Sequence, residues 1–131
     1  MHVRFTPIYV PIVRGLLTVS YLKLRSAKTS AEAVRKVLQD AYRSSPFIHV
    51  MTKARSADAA WDYAPYPWVS AVAGTNYCLL AVEVQPDRGE LTVFAAIDSV
   101  GKGGAHVAVE CMNLMFGLPR TAGLSGRALH P

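Results

Sequence analysis

The sequence predicts an α+β domain in which helices cover one face of a mostly antiparallel, mixed sheet. Three observations carry that prediction. The elements read in the order β, α, β, long connection, β, β, α. Two apolar strands flank the turn signal Pro86-Asp87-Arg88-Gly89, as in an antiparallel hairpin. The strand segments LLTVSYL and CLLAVEV are apolar on both sides, so the sheet needs helices on one face and a further partner on the other.

Prolines 7 and 11 keep the segment from Phe5 to Pro11 extended and bar it from the middle of a sheet. From Leu16 to Leu24, β-branched and aromatic residues predict a strand with at least one buried face. Arg14, beside Gly15 at its head, is a candidate for holding a carboxylate or phosphate through two parallel hydrogen bonds. A surface arginine in a salt bridge is the commoner case. A helix is expected from Thr29 to Arg43, where Thr29 and Glu32 fit a capping box. Its apolar stripe is Val34, Val37, Leu38, Ala41 and Tyr42, and Arg35, Lys36, Gln39 and Arg43 should face water. Pro46 ends it, and Phe47 to Met51 is a short strand reached by a crossover.

Residues Thr52 to Trp68 show no useful period and form a long excursion, with a helical turn expected near Ala57 to Trp61. Trp61, Tyr63, Tyr66 and Trp68 either form an interface or pack back on the core. Thr75 to Pro86 and Glu90 to Asp98 are the two hairpin strands. The second delivers Asp98 to a turn with Gly101, Gly103 and Gly104, and a helix runs from Gly104 to Phe116. Its apolar face is expected to be Ala105, Ala108, Val109, Met112 and Phe116, with Gly117 as the C′ residue and Pro119 as the stop. A strand end, a glycine turn, Lys102 and a helix start can form one end of an anion site, although glycines are commoner at plain strand-to-helix junctions. From Arg120 onward the chain reads as a poorly specified tail.

The totals narrow the function classes. With 131 residues, one domain is expected. The chain is 51% hydrophobic and 18% charged, as globular domains are, and lacks both a membrane-spanning run and the order of a signal peptide, so a cytoplasmic setting is expected. Ten of its 14 basic residues precede position 56, but singly and without interleaved aromatics, which argues against nucleic acid as partner. Cys78 and Cys111 have no ligand spacing and read as buried packing thiols, and no His pattern suggests a metal.

FTPIYVPIVRG at Phe5 to Gly15, GTNYC at Gly74 to Cys78 and AIDSVGKGGAHVAVECMNLMFGLPRTAGL at Ala96 to Leu124 resemble one family. They are similar to the C-terminal part of N-acetyl-γ-glutamyl-phosphate reductase, the NADP-dependent enzyme of arginine biosynthesis. The resemblance implies the fold of the C-terminal domain of semialdehyde and glyceraldehyde-phosphate dehydrogenases. It implies a substrate and dimerisation domain whose partner is the nucleotide-binding domain of the same enzyme, with a homo-oligomer as the assembly. The family reduces an acyl phosphate to an aldehyde through a cysteine thioester that takes hydride from NADPH, with a histidine as acid/base. Neither catalytic residue has a counterpart here, for Cys78 matches a strand cysteine that is not the nucleophile.

By resemblance, Arg14 matches the arginine of PxxRG, which faces the substrate's anionic end. Asp98, Lys102 and Gly103 match the DNLxKGA segment at the cofactor edge, where Ser99 takes the second position, and Asn113 matches the asparagine of MNLMFG. Ser99 and Val100 replace the asparagine and leucine of DNL, His106 stands in place of a glycine, and Ile8 replaces a histidine. Two other readings stand beside this one: half of the lysine-pathway reductase that acts on aminoadipyl phosphate, and a stand-alone dimeric binding or regulatory module.

Overall fold

The computed structural model describes residues 3–52 and 66–124. The helical turn expected at Ala57 to Trp61, the side chains of Trp61 and Tyr63, and the last seven residues of the tail lie outside them. Among the described residues four strands form one sheet: β1 (Leu16–Lys23), β2 (Ile48–Val50), β3 (Cys78–Gln85) and β4 (Glu90–Ile97). Their spatial order is β1-β4-β3-β2. β4 runs antiparallel to both β1 and β3, and β2 is parallel to β3, so the sheet is mixed as expected. The helices are α1 (Ala31–Ala41), α2 (Val69–Val72) and α3 (His106–Met115).

The hairpin is closed by a 3₁₀ turn over Pro86–Arg88 and by Gly89 in the left-handed region, which brings Gln85 opposite Glu90. Register then decides which side chains share a face, since directly opposed residues point the same way. Leu79, Ala81, Thr92 and Ala96 fall on one face and all are buried. Val72 of α2 packs with Leu79 and Ala96 to form the centre of the core. Tyr66 lies over the same face, its ring 4.9 Å from that of Phe94 and its hydroxyl donating to Glu83.

The opposite face carries Leu80, Val82, Val84, Leu91, Val93 and Ile97, all half-buried. At its end the Ile97 side chain rests against the turn at Gly103. β1 is exposed along its whole length, including Leu17 and Tyr21 on the helix-covered side.

Several boundaries and faces differ from the sequence reading. The cap of α1 is Ser30, whose hydroxyl accepts from the Ala33 N–H, one residue later than the Thr29 box. Its inner face is Ala31, Val34, Arg35 and Leu38, at i, i+3, i+4 and i+7. Arg35 is therefore buried, ion-paired with Glu32, while Val37 is 66% exposed. The shift is one step around the helix, and a long arginine stem can cover apolar surface where a shorter polar chain cannot.

α3 departs further. Its apolar positions Ala108, Met112 and Phe116 face outward, and Glu110 and Asn113 are buried. Cys111 is exposed with them, whereas Cys78 is partly buried. The segment Arg120 to Leu124 is ordered rather than loose: Ala122 donates to Pro119, Leu124 donates to Thr121, and Leu124 is buried.

Candidate functional site

The site is assembled where β4 ends. Asp98, the first residue after the strand, is fully buried, and its carboxylate collects four donors. The Val100 and Gly101 N–H groups donate to Oδ1 at 2.8 and 2.7 Å, which folds the chain into a tight turn. The Gly74 N–H and one Arg14 amino group donate to Oδ2, the latter at 2.7 Å. Burial alone would raise this carboxyl, but Arg14 and the three backbone donors outweigh it and hold it at about 2, below the ordinary 3.8. Asp98 is thus charged at all physiological pH and joins three separate segments.

Beside it, the Ser99 hydroxyl accepts from the Gly15 N–H at 2.8 Å. Gly15 has φ +121, and a Cβ there would sit 1.9 Å from a methyl of Val69, so only glycine lets the head of β1 approach α2. Arg14 and Gly15 are in this way locked to Asp98 and Ser99 by adjacent bonds. Arg14 keeps its side chain 29% exposed, and its Nε has no hydrogen-bond partner among the described residues.

The turn continues through residues 101–105, where Gly103 donates to Asp98 O and Ala105 to Val100 O, and it kinks at Gly104, whose backbone is not helical. Gly101 is buried, and a Cβ would meet the Thr75 carbonyl at 2.8 Å and His106 Nδ1 at 2.9 Å. Gly103 and Gly104 are exposed and offer bare backbone to solvent. Lys102 turns inward. Its ammonium lies 2.6 Å from Glu110 Oε1 and 5.4 Å from the centre of the Phe47 ring.

Glu110 is a second buried carboxylate, and the sequence reading did not select it. Asn76 donates to it at 2.5 Å, Lys102 at 2.6 Å and Arg120 at 3.1 Å. Burial pushes this carboxyl up, and the Lys102, Asn76 and Arg120 bonds bring it below its ordinary value. Asn113, one turn later, donates to the carbonyls of Arg120 and Ala122. One signal was available: Glu110 is the sole acidic residue in an otherwise apolar helix segment.

The structure therefore brings Arg14, Asp98, Ser99 and Gly103 to one corner, and sets Lys102 in a neighbouring ion cluster. Cys78 is a poor nucleophile here, because burial raises its thiol and Lys102 lowers it only in part.

A family model described as semialdehyde dehydrogenase, dimerisation domain, matches residues 1–99. The chain belongs to the semialdehyde dehydrogenase dimerisation-domain family. That domain is an α+β fold of the kind seen here. Relatives named N-acetyl-gamma-glutamyl-phosphate reductase are similar over nearly its whole length. The protein from Saccharopolyspora erythraea is 44% identical over 95% of this chain and 33% of its own length. That from Pelotomaculum thermopropionicum is 37% identical over 98% of the chain and 34% of its own. The Synechocystis protein is 34% identical over all of the chain and 34% of its own. The chain thus spans about a third of the length of these curated relatives.

Among the described residues no helix is long and apolar enough to cross a membrane. Nor does any cluster of three His, Cys, Asp or Glu among them suit a metal ion.

Proposed function

We propose that this chain is the substrate-binding and dimer-forming part of an NADP-dependent N-acetyl-γ-glutamyl-phosphate reductase of arginine biosynthesis, acting in the cytoplasm and inactive without a nucleotide-binding part. The observation that carries the reading is the similarity of 44% over 95% of the chain to a reductase of which it spans one third.

The geometry supports it in two ways. Arg14 is braced by Asp98 yet its side chain remains partly exposed, which suits the anionic end of an acyl phosphate. Gly103 and Gly104 present backbone without side chains, which suits the edge of a flat cofactor. The residues fit NADP as a backbone edge only: the Asp98 carboxylate and the Lys102 ammonium are both occupied within the chain. NADPH, when bound, supplies the hydride. The work of this chain is then to orient the acyl phosphate through Arg14, to hold the turn rigid through Asp98 and Ser99, and to provide the second-copy contact. The nucleophilic cysteine comes from the nucleotide-binding part, and the acid/base histidine from a segment that in the family lies shortly upstream of the FTP motif.

Mixing the chain with acetylglutamate semialdehyde, phosphate and NADP should yield no NADPH absorbance. Adding a nucleotide-binding part that carries the cysteine and histidine should start the reaction, and turnover by the chain alone would overturn the reading. A second reading, a dimeric module that kept the fold without catalysis, is favoured by the internal pairing of Lys102 with Glu110. Under that reading a titration of the isolated chain with NADP gives no binding while the dimer persists.

A further inference from the structure

Lys102 is placed like a ligand group and held like a peg. It follows buried Gly101 and precedes exposed Gly103 and Gly104, yet its own side chain is only 16% exposed. A lysine beside solvent ordinarily keeps its charged head in water. Here the ammonium goes inward, 2.6 Å from Glu110 Oε1 and 5.4 Å from the centre of the Phe47 ring. Glu110 is held from two further sides, by Asn76 at 2.5 Å and by Arg120 at 3.1 Å.

The two halves of the glycine turn are fixed by different groups. In the first, Asp98 accepts from the Val100 and Gly101 N–H groups on its carboxylate and from the Gly103 N–H on its carbonyl. Beyond that, Gly103 and Gly104 carry no Cβ to restrict the chain, and Gly104 departs from helical geometry. Among the described residues, the bond of Lys102 to Glu110 is the one side-chain hydrogen bond made by residues 102–105. Resting on the proposed function, we infer that Glu110 is a positioning residue for the cofactor: by holding Lys102 inside the fold, it fixes residues 102–104 with the Gly103 and Gly104 backbone outward, as the cofactor edge requires. Lys102 gives the cofactor no charge in this role, because its ammonium is engaged with Glu110 within the fold.

Two variants of nearly conserved size separate this role from its rivals. Lys102→Met removes the peg but leaves Glu110 its bonds from Asn76 and Arg120, so α3 stays anchored. Glu110→Gln removes the charge that holds the ammonium and frees Lys102 to turn outward. Each is mixed with the portion of the Saccharopolyspora erythraea reductase that has no counterpart in this chain, and assayed with acetylglutamate semialdehyde, phosphate and varied NADP. Both should raise KM for NADP about tenfold, the scale of one lost hydrogen bond, with a smaller change in kcat. The double variant should do no more than either single one. A lysine that touches the cofactor gives a raised KM with Lys102→Met and an unchanged or lower one with Glu110→Gln. A glutamate that only anchors α3 gives a raised KM with Glu110→Gln alone. Either pattern overturns the proposal. Amide nitrogen relaxation of the chain by itself reads the turn without turnover: the Gly103 and Gly104 amides should have order parameters of about 0.85 in the wild type and below about 0.6 in both variants. Equal order in all three proteins overturns the peg whatever the activity. Loosened amides in both variants, with no turnover in the wild-type mixture, sink the function alone. Turnover at an unchanged KM in both variants sinks the positioning role alone.

Discussion

Asp98 holds a full charge out of water, and four donors repay the desolvation. Its folded-state value of about 2 lies below the unfolded 3.8, so it favours the folded state at every pH above that unfolded value. This contribution, about 2 kcal/mol, is lost as pH falls from about 4 toward 2. Urea unfolding of the wild type should therefore weaken across that window. Asp98→Asn should cost about 1–3 kcal/mol near neutrality, because the bonds that the buried carboxylate accepts from the partly exposed Arg14 and from three backbone N–H groups are weakened, and should flatten the acid limb. An unchanged acid limb in the variant would assign the pH dependence elsewhere. The sequence marked Asp98 by its place between a strand and a glycine turn. It could not show that Arg14, 84 positions earlier, would be the partner, because that contact exists only once β1 lies against β4.

At the scale of elements, α3 depends on two polar anchors. Glu110→Ala removes the acceptor shared by Asn76, Lys102 and Arg120, and leaves a buried ammonium unpaired. It should speed amide hydrogen exchange in α3 and in residues 120–124, and barely alter β3 and β4. Uniform acceleration across the sheet would mean that the anchor belongs to the global core instead. α3 also shows where periodicity misleads. Its spacing marked Ala108, Met112 and Phe116 correctly as one face, but spacing cannot say whether the sheet or another surface receives that face. In α1 the stripe was misjudged by one step, since a buried arginine paired with Glu32 reads as a polar position. The hairpin was legible because Pro86, Asp87 and Gly89 dictate their own turn and need no distant partner.

For the whole molecule, the two sheet faces have different tasks. One is filled by Val72, Leu79 and Ala96, and the other is left half-covered along β3 and β4. Introducing a charge there, as in Val93→Glu, should turn an oligomer into a monomer by light scattering, with the circular dichroism of the fold retained. An unaltered mass would remove the sheet from the interface. The mixed topology itself was readable from the order of the elements and the crossover through α1. The bareness of β1 was not, because its alternation of Leu, Thr, Val and Tyr looks the same whether or not anything covers it.

The pairing of β1 also has a consequence for how the chain reaches this structure. β3 and β4 meet through a turn of four residues, whereas Thr18 bonds Ala95 from 77 positions away. Closing the short loop costs far less chain entropy, so the hairpin can form early and β1 must arrive afterwards, across the long connection. Slowing the turn should therefore retard refolding, while weakening β1 should mainly hasten unfolding. Stopped-flow chevrons of Gly89→Val and Val19→Ala would show it: the first should lower the folding arm, the second should raise the unfolding arm. Since β1 carries Arg14 and Gly15 at its head, the corner that would bind an anion is completed last, and the folding chain has its hairpin before it has its site.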